Sequence, residues 1–145
     1  METIQELAKF LSTLCCAFFA GAAIYINLVE HPARMECGPE FAVKEFGPSY
    51  RRATGMQASL AAGGFVFSLI AWGTGATVWW LTGGILLGLV IPVTLILIFP
   101  VNKELLSPAT EKDSILAQAL LSRWNRLHLI RSVLSTIALI IFLLN

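Results

Sequence analysis

The sequence has little charge, and it lacks the patterns of nucleic-acid-binding and disulfide-rich proteins. Only 13% of its 145 residues are charged, whereas about a quarter are charged in a typical soluble domain. The net charge of +1 provides no basic field for nucleic acid. The three cysteines form no Cys-x-x-Cys pair, which argues against a thiol redox centre or a disulfide scaffold. With 57% hydrophobic residues, the composition is that of an integral membrane protein with room for one domain.

The apolar residues form four runs, each long enough to cross a hydrocarbon core of about 30 Å as a helix. The predicted spans cover residues 7–28, 53–72, 78–99 and 127–144. A short turn at 73–77 and two polar loops separate them, at 29–52 and 100–126. A signal peptide is not favoured, because acidic residues precede the first run. The sequence therefore predicts an all-α fold, an integral membrane antiparallel four-helix bundle with residues 1–145 as a single domain.

Small residues indicate where these helices pack. Ser59 and Gly63 in the second span, like Gly84 and Gly88 in the third, are four positions apart. Such steps allow close backbone approach in lipid. Pro92 should kink the third helix. The same faces could join a homo-oligomer or a larger membrane complex, so the predicted partners are the lipid bilayer, a hydrophobic small molecule and such an assembly.

The basic residues predict an orientation in the membrane. All Lys and Arg residues except Lys9 lie in or beside the two long loops. By the positive-inside rule, loops 29–52 and 100–126 are cytoplasmic and both termini lie on the opposite side. Because Pro32 disfavours helical backbone at His31, we expect the first helix to end there. We also expect a short amphipathic helix at 40–46 and a fourth helix that starts at 112–114.

The fourth span begins with an ionisable stripe. Trp124, His128, Arg131 and Ser135 share one face of a helix. An intramembrane guanidinium is costly unless it faces a polar interior, so His128 and Arg131 are candidate functional residues. Trp124 could instead belong to an interfacial aromatic belt. The three arginines of this segment, Arg123, Arg126 and Arg131, could simply mark the cytoplasmic end of the span.

Polar residues from the other spans should reach the same end of the bundle. Asn27 and His31 close the first span, Asn102 follows the third, and Gln57 is the one strongly polar side chain in the second. In an antiparallel bundle all of them lie near the level of His128. Helix-end residues gather at a membrane face in any bundle, and His31 or Asn102 could simply cap a helix or occupy a turn.

Three motifs carry a resemblance to a known family. They are NLVEHPAR at 27–34, PVNKEL at 100–105 and WNRLHLIR at 124–131. In their order and spacing, the chain resembles the anthrone-oxygenase-like family of small four-span membrane proteins over essentially its whole length. The resemblance implies a four-helix membrane fold. In the fungal branch of the family it also implies oxygenation of an anthrone to an anthraquinone without an organic cofactor. The matched positions are His31, Pro32, Asn102, Trp124, His128 and Arg131.

These residue types suit the oxygenation of an activated methylene. His128 is the predicted base and His31 the second choice, because imidazole exchanges protons near neutral pH. Arg131 is predicted to stabilise the developing oxyanion. The predicted substrate-binding residues are Asn102, Trp124, Asn27 and Gln57.

No cofactor is predicted, and two alternatives stay open. A catalytic metal needs about three protein ligands, which His31 and His128 with Glu30 or Glu104 could supply; haem on the same histidines is less favoured. The competing function is non-enzymatic: an accessory subunit of a membrane complex, or a protein that binds a hydrophobic ligand or quinone. A transporter is not favoured, because the sequence shows no internal repeat. A membrane glutathione transferase is not favoured either, because the second span lacks the run of arginine and asparagine residues that such enzymes carry.

Overall fold

The computed structural model describes residues 2–145, and these residues form four long helices. We label them α1 (Glu2–Glu36), α2 (Pro39–Gly73), α3 (Val78–Leu105) and α4 (Ile115–Leu144). Each is long and apolar enough to cross a membrane, which indicates an integral multi-pass membrane protein. Residues 2–145 contain no strand. The predicted all-α bundle is confirmed.

Short connections make neighbouring helices antiparallel. α1 packs against α2 and α4, α2 against α3, and α3 against α4, so the four helices close into a ring. The first reversal occupies only Cys37 and Gly38, and Gly38 has a φ of 86°, which glycine adopts without strain. Ser114 caps α4 by accepting a hydrogen bond from the N–H of Ala117 at 3.1 Å. The helix start predicted near residue 114 is confirmed.

The prediction that the first helix ends at His31 is wrong. A π-helical turn over Ile26–Glu30 leads directly into an α-helical segment over His31–Glu36. Pro32 lies in the first turn of that segment, where a missing N–H is tolerated. Residues 29–52 are therefore helical except at Cys37 and Gly38, and the short helix expected at 40–46 is part of α2.

α3 is irregular in the same way. Its α-helical pattern is interrupted at Leu89, and a π-helical turn follows over Thr94–Ile98. Pro92 has no N–H to offer the preceding turn, which explains the disturbance expected there. Pro100 follows the π turn at the same distance as Pro32 follows the first one. Both wide turns lie beside the polar residues described below.

Glycines bring the helices together in one half of the bundle, which we call the glycine-packed half. A Cβ added at Gly84 would overlap Ser68 Oγ, and one added at Gly88 would lie 3.1 Å from the Phe65 ring. α2 and α3 can therefore touch only because these positions lack side chains. The aromatic contact of this half is Trp80 stacked on Phe142, with ring centroids 4.9 Å apart.

A second apolar cluster fills the other half of the bundle. It includes the buried residues Phe46, Ile98, Leu105, Leu121 and Trp124. Between the two apolar clusters lies a set of polar side chains, which we call the polar layer: Asn27, Gln57, His128, Arg131 and Ser132. The layer draws on α1, α2 and α4, so it forms only when the bundle assembles.

Candidate functional site

Asn27 organises the polar layer. Its Nδ2 donates hydrogen bonds to the carbonyl oxygen and the Oδ1 of Asn125, at 3.1 and 2.7 Å. Its Oδ1 accepts a hydrogen bond from Ser132 Oγ at 2.6 Å and lies 2.9 Å from His128 Nδ1. Because Asn27 Oδ1 can only accept, we assign the hydrogen to His128 Nδ1. In the neutral imidazole, Nε2 is then the basic nitrogen.

Arg131 is a cation without a carboxylate partner. Its Nη2 donates a hydrogen bond to Gln57 Oε1, and its guanidinium lies over the Phe19 ring, 5.2 Å from the centroid. The ion pairs formed within residues 2–145 do not include Arg131. Arg131 Nε and Gln57 Nε2 are buried donors with no acceptor in the protein. Two unused donors therefore lie beside an uncompensated positive charge, an arrangement suited to an anionic oxygen.

A cavity of about 150 Å³ adjoins these groups. His128, Arg131 and Gln57 provide its polar end, and most of the remaining wall is apolar. Trp124 also lines the cavity. Four of the residues predicted from the sequence therefore share one cavity, whose mixed character is typical of sites for small hydrophobic ligands.

The other three predicted residues lie outside the lining of this cavity. His31 is buried and stacks on Trp124 with ring centroids 5.8 Å apart, while His128 stacks on the same indole at 4.8 Å. Asn27 acts on the site through its hydrogen bond to His128. Asn102 lies inside α3, not in a turn, and its amide is fully buried with no partner on either atom.

Sequence reasoning missed an ion-paired group at the edge of the cavity. Arg34 is buried, pairs with Glu30, and has its Nε 2.6 Å from Glu45 Oε2, without the angle of a hydrogen bond. Ser49 Oγ donates to Glu30 Oε1 at 2.8 Å. The guanidinium of Arg34 also lies 6.0 Å from the Trp124 ring centroid. The four-residue spacing of Glu30 and Arg34 is typical of a helical ion pair and could have revealed this group.

The ligand set considered for a metal is not assembled in this arrangement. Residues 2–145 contain no group of three or more His, Cys, Asp and Glu side chains that could hold one ion. His31 and His128 both stack on Trp124, and neither imidazole meets Glu30 or Glu104 in such a group.

Comparison with known proteins gives one family. Residues 46–141 match the model of a family described as anthrone oxygenase. No curated protein and no solved structure matches the chain. The matched range covers α3, nearly all of α4 and most of α2, and so includes Gln57, Trp124, His128 and Arg131, but it begins after the motif at 27–34. Since the match covers most of the chain, the protein belongs to the anthrone oxygenase family.

Proposed function

We propose that the protein is a cofactor-independent oxygenase that converts an activated methylene of an anthrone-like aromatic molecule to a ketone with dioxygen. Family membership supports an oxygenase. The observation that carries the proposal is the pairing of His128 with Arg131 at the polar end of an otherwise apolar cavity. The apolar wall and the polar end of the cavity support a substrate with a flat apolar body and one oxygen at the polar end.

The first step is removal of a proton. In an anthrone the methylene lies between two aromatic rings that are attached to a ketone, so the anion left by deprotonation is delocalised onto the ketone oxygen as an enolate. His128 Nε2 takes the proton, while Asn27 Oδ1 accepts from Nδ1–H and holds the ring. Arg131 and Gln57 stabilise the enolate oxygen through the two donors that the protein leaves unused. The apolar surroundings strengthen this interaction because they screen charge weakly.

The second stage consumes dioxygen. The enolate transfers one electron to dioxygen, and the two radicals combine to form a C–O bond at the former methylene carbon. The peroxide anion takes the proton back from His128. Loss of the remaining C–H proton to His128 then breaks the O–O bond, forms the ketone and releases hydroxide, which receives that proton. One methylene and one dioxygen give one ketone and one water.

The glycine-packed half bears on the alternative of a docking subunit. Gly84 and Gly88 were the face expected to meet another chain in that case. They instead lie against Ser68 and Phe65 of the same chain. This internal use of the glycine face favours a self-contained site over an accessory role through that face.

Oxygen consumption by the purified protein in detergent, with anthrone as substrate, tests the proposal. We expect His128→Ala to reduce kcat by about 10²-fold or more, the usual contribution of a general base. Arg126→Gln is the matched control, because Arg126 is exposed on the same helix and should leave turnover unchanged. Heat-treated protein corrects for spontaneous oxidation. With ¹⁸O₂, the new ketone should carry one labelled oxygen. Equal rates for His128→Ala and the unmodified protein would remove His128 from the mechanism and contradict the proposal.

A further inference from the structure

α2 and α3 touch in one half of the bundle and separate in the other. They are in contact where Gly84 meets Ser68 and Gly88 meets Phe65. Immediately afterwards α3 loses its regular pattern at Leu89. The cavity begins at the same level, with Val90 as its first lining residue on α3. The irregular backbone of α3 therefore coincides with an opening between the two helices.

Four cavity-lining residues form the edges of this opening, which we call the lateral slot. Thr54 and Ala58 lie on α2, and Ile91 and Leu95 lie on α3. All four are exposed on the surface of the bundle. Ala58 and Thr54 are small, so the α2 edge does not reach across to the larger side chains of α3. The cavity thus opens through the side of the bundle.

The slot leads directly to the polar end of the cavity. Gln57 lies between Thr54 and Ala58 in the sequence of α2, but it is buried and turned inward to Arg131. One helix face thus provides an edge of the opening, and the adjacent face provides a ligand-binding amide. A molecule that enters beside Ala58 therefore reaches the guanidinium of Arg131 within the same cavity.

Apolar side chains fill the centre of the bundle end near Cys37 and Gly38. Phe46, Ile98, Leu121 and Trp124 are fully or almost fully buried there and form one apolar cluster. Arg34, held by Glu30, covers the Phe46 ring at 5.7 Å from its centroid. These side chains fill the centre of that end, whereas the lining residues Glu30 and Ser49 are half-buried at its periphery.

We infer that the lateral slot admits a flat aromatic ligand directly from the bilayer and that Arg131 binds this ligand by an ionised oxygen. The slot lies within the apolar stretches of α2 and α3 that are long enough to cross a membrane, so it faces acyl chains. A polycyclic aromatic molecule partitions into that region. Its charged oxygen can pair with Arg131, whereas Arg34, which also lines the cavity, is already paired with carboxylates. The ligand class rests on the proposed function; the route rests on the slot.

Binding kinetics test this route without turnover. The probe is anthracene-9-carboxylate, added to phosphatidylcholine vesicles that contain the protein, and the signal is energy transfer from tryptophan to anthracene in stopped flow. Ala58→Phe should slow association at least about tenfold, because the introduced phenyl ring fills the lateral slot. Ala62→Phe is the matched control: Ala62 is exposed one turn further along α2 and does not line the cavity. It should change the rate less than about twofold.

A second pair of variants, on α3, keeps the test valid if Ala58→Phe fails to fold. Leu95→Phe narrows the slot from α3 and should also slow association, whereas Ile96→Phe, exposed beside it but outside the lining, should not. Neutral anthracene-9-methanol should bind more weakly than the carboxylate, and Arg131→Gln should abolish that difference. Unchanged association in both Ala58→Phe and Leu95→Phe would overturn the route, and equal affinity of the two probes would overturn the ionised ligand.

The two proposals can fail separately. Slow association in the slot variants, in a protein that consumes no oxygen with anthrone, would support the route and contradict the oxygenase. Oxygen consumption dependent on His128, with association unaffected by Ala58→Phe and Leu95→Phe, would support the oxygenase and contradict lateral entry.

Discussion

Two arginines that line the cavity, Arg34, which is buried, and Arg131, which is half-buried, show how the same side chain is held in two ways. Arg34 on α1 pairs with Glu30 and lies 2.6 Å from a carboxylate oxygen of Glu45. Arg131 on α4 has only neutral partners, the amide of Gln57 and the ring of Phe19. A buried charge is costly unless it is paired, so the protein compensates Arg34 itself and leaves Arg131 for something else to compensate. We therefore regard Arg34 as structural and Arg131 as ligand-binding.

The two halves of the bundle show a related division. In the glycine-packed half, Ser68 and Phe65 of α2 pack directly on the backbone of α3 at Gly84 and Gly88. In the other half, the same helices enclose a cavity with unused hydrogen-bond donors. Because lipid provides no hydrophobic force between helices, close packing in one half is what allows the other half to stay open.

Replacing each arginine by glutamine should give the largest contrast. Arg131→Gln removes the stabilisation of the oxyanion, and we expect kcat with anthrone to fall by about 10²-fold or more. Its thermal stability in detergent should stay unchanged or rise, because a half-buried charge without a carboxylate partner is removed. Oxygen consumption and thermal unfolding measure the two effects.

Arg34→Gln is the matched comparison. It leaves Glu30 and Glu45 without their cation, so we expect a loss of about 2 kcal/mol in the free energy of unfolding, somewhat below the cost of breaking a fully buried pair because Glu45 is half exposed. If Arg131→Gln were the destabilising variant and Arg34→Gln the inactive one, the assignment of the two arginines would be reversed.

The glycine-packed half can be tested by adding a single methyl group. Gly84→Ala places a Cβ on Ser68 Oγ, and we expect a loss of about 1–3 kcal/mol in the free energy of unfolding, the usual cost of overpacking. Gly55→Ala on α2 is the control, since a Cβ there meets no atom within 4 Å. That change should stabilise the helix by about 0.5–1 kcal/mol. Denaturation in detergent micelles measures both, and equal effects would contradict the proposed contact.

The sequence predicted much of the fold because membrane spans are set by apolar length. The four helices, the turn near 73–77 and the start of α4 at Ser114 all follow from composition and capping. The region 29–52 was misread because Pro32, Gly47 and Pro48 are loop signals in isolation. Burial of Val43 and Phe46 against the rest of the bundle overrides those signals, and the π turn accommodates Pro32.

Helical periodicity also predicted part of the site. His128 and Arg131 lie on one helix face, so their proximity needs no tertiary information. The hydrogen bond of Asn27 to His128 and the slot beside Ala58 depend on how separate helices meet, which the pattern of one chain does not specify. The ion pair of Arg34 with Glu30 lies within one helix and was missed for a different reason, because that segment was assigned to a loop.

Asn27 gives the smallest expected effect and the finest test of how the polar half works. Asn27→Ala leaves His128 Nδ1 and Ser132 Oγ without their shared acceptor, so the imidazole loses its fixed tautomer and orientation. We expect kcat to fall by about tenfold, whereas the affinity for anthracene-9-carboxylate should be unchanged, because Arg131 and Gln57 are untouched. Ser132→Ala, which removes only the second donor, should leave kcat within about twofold. A parallel loss of kcat and probe affinity in Asn27→Ala would mean that Asn27 supports the whole cavity, whereas loss of kcat alone identifies it as the residue that positions the base.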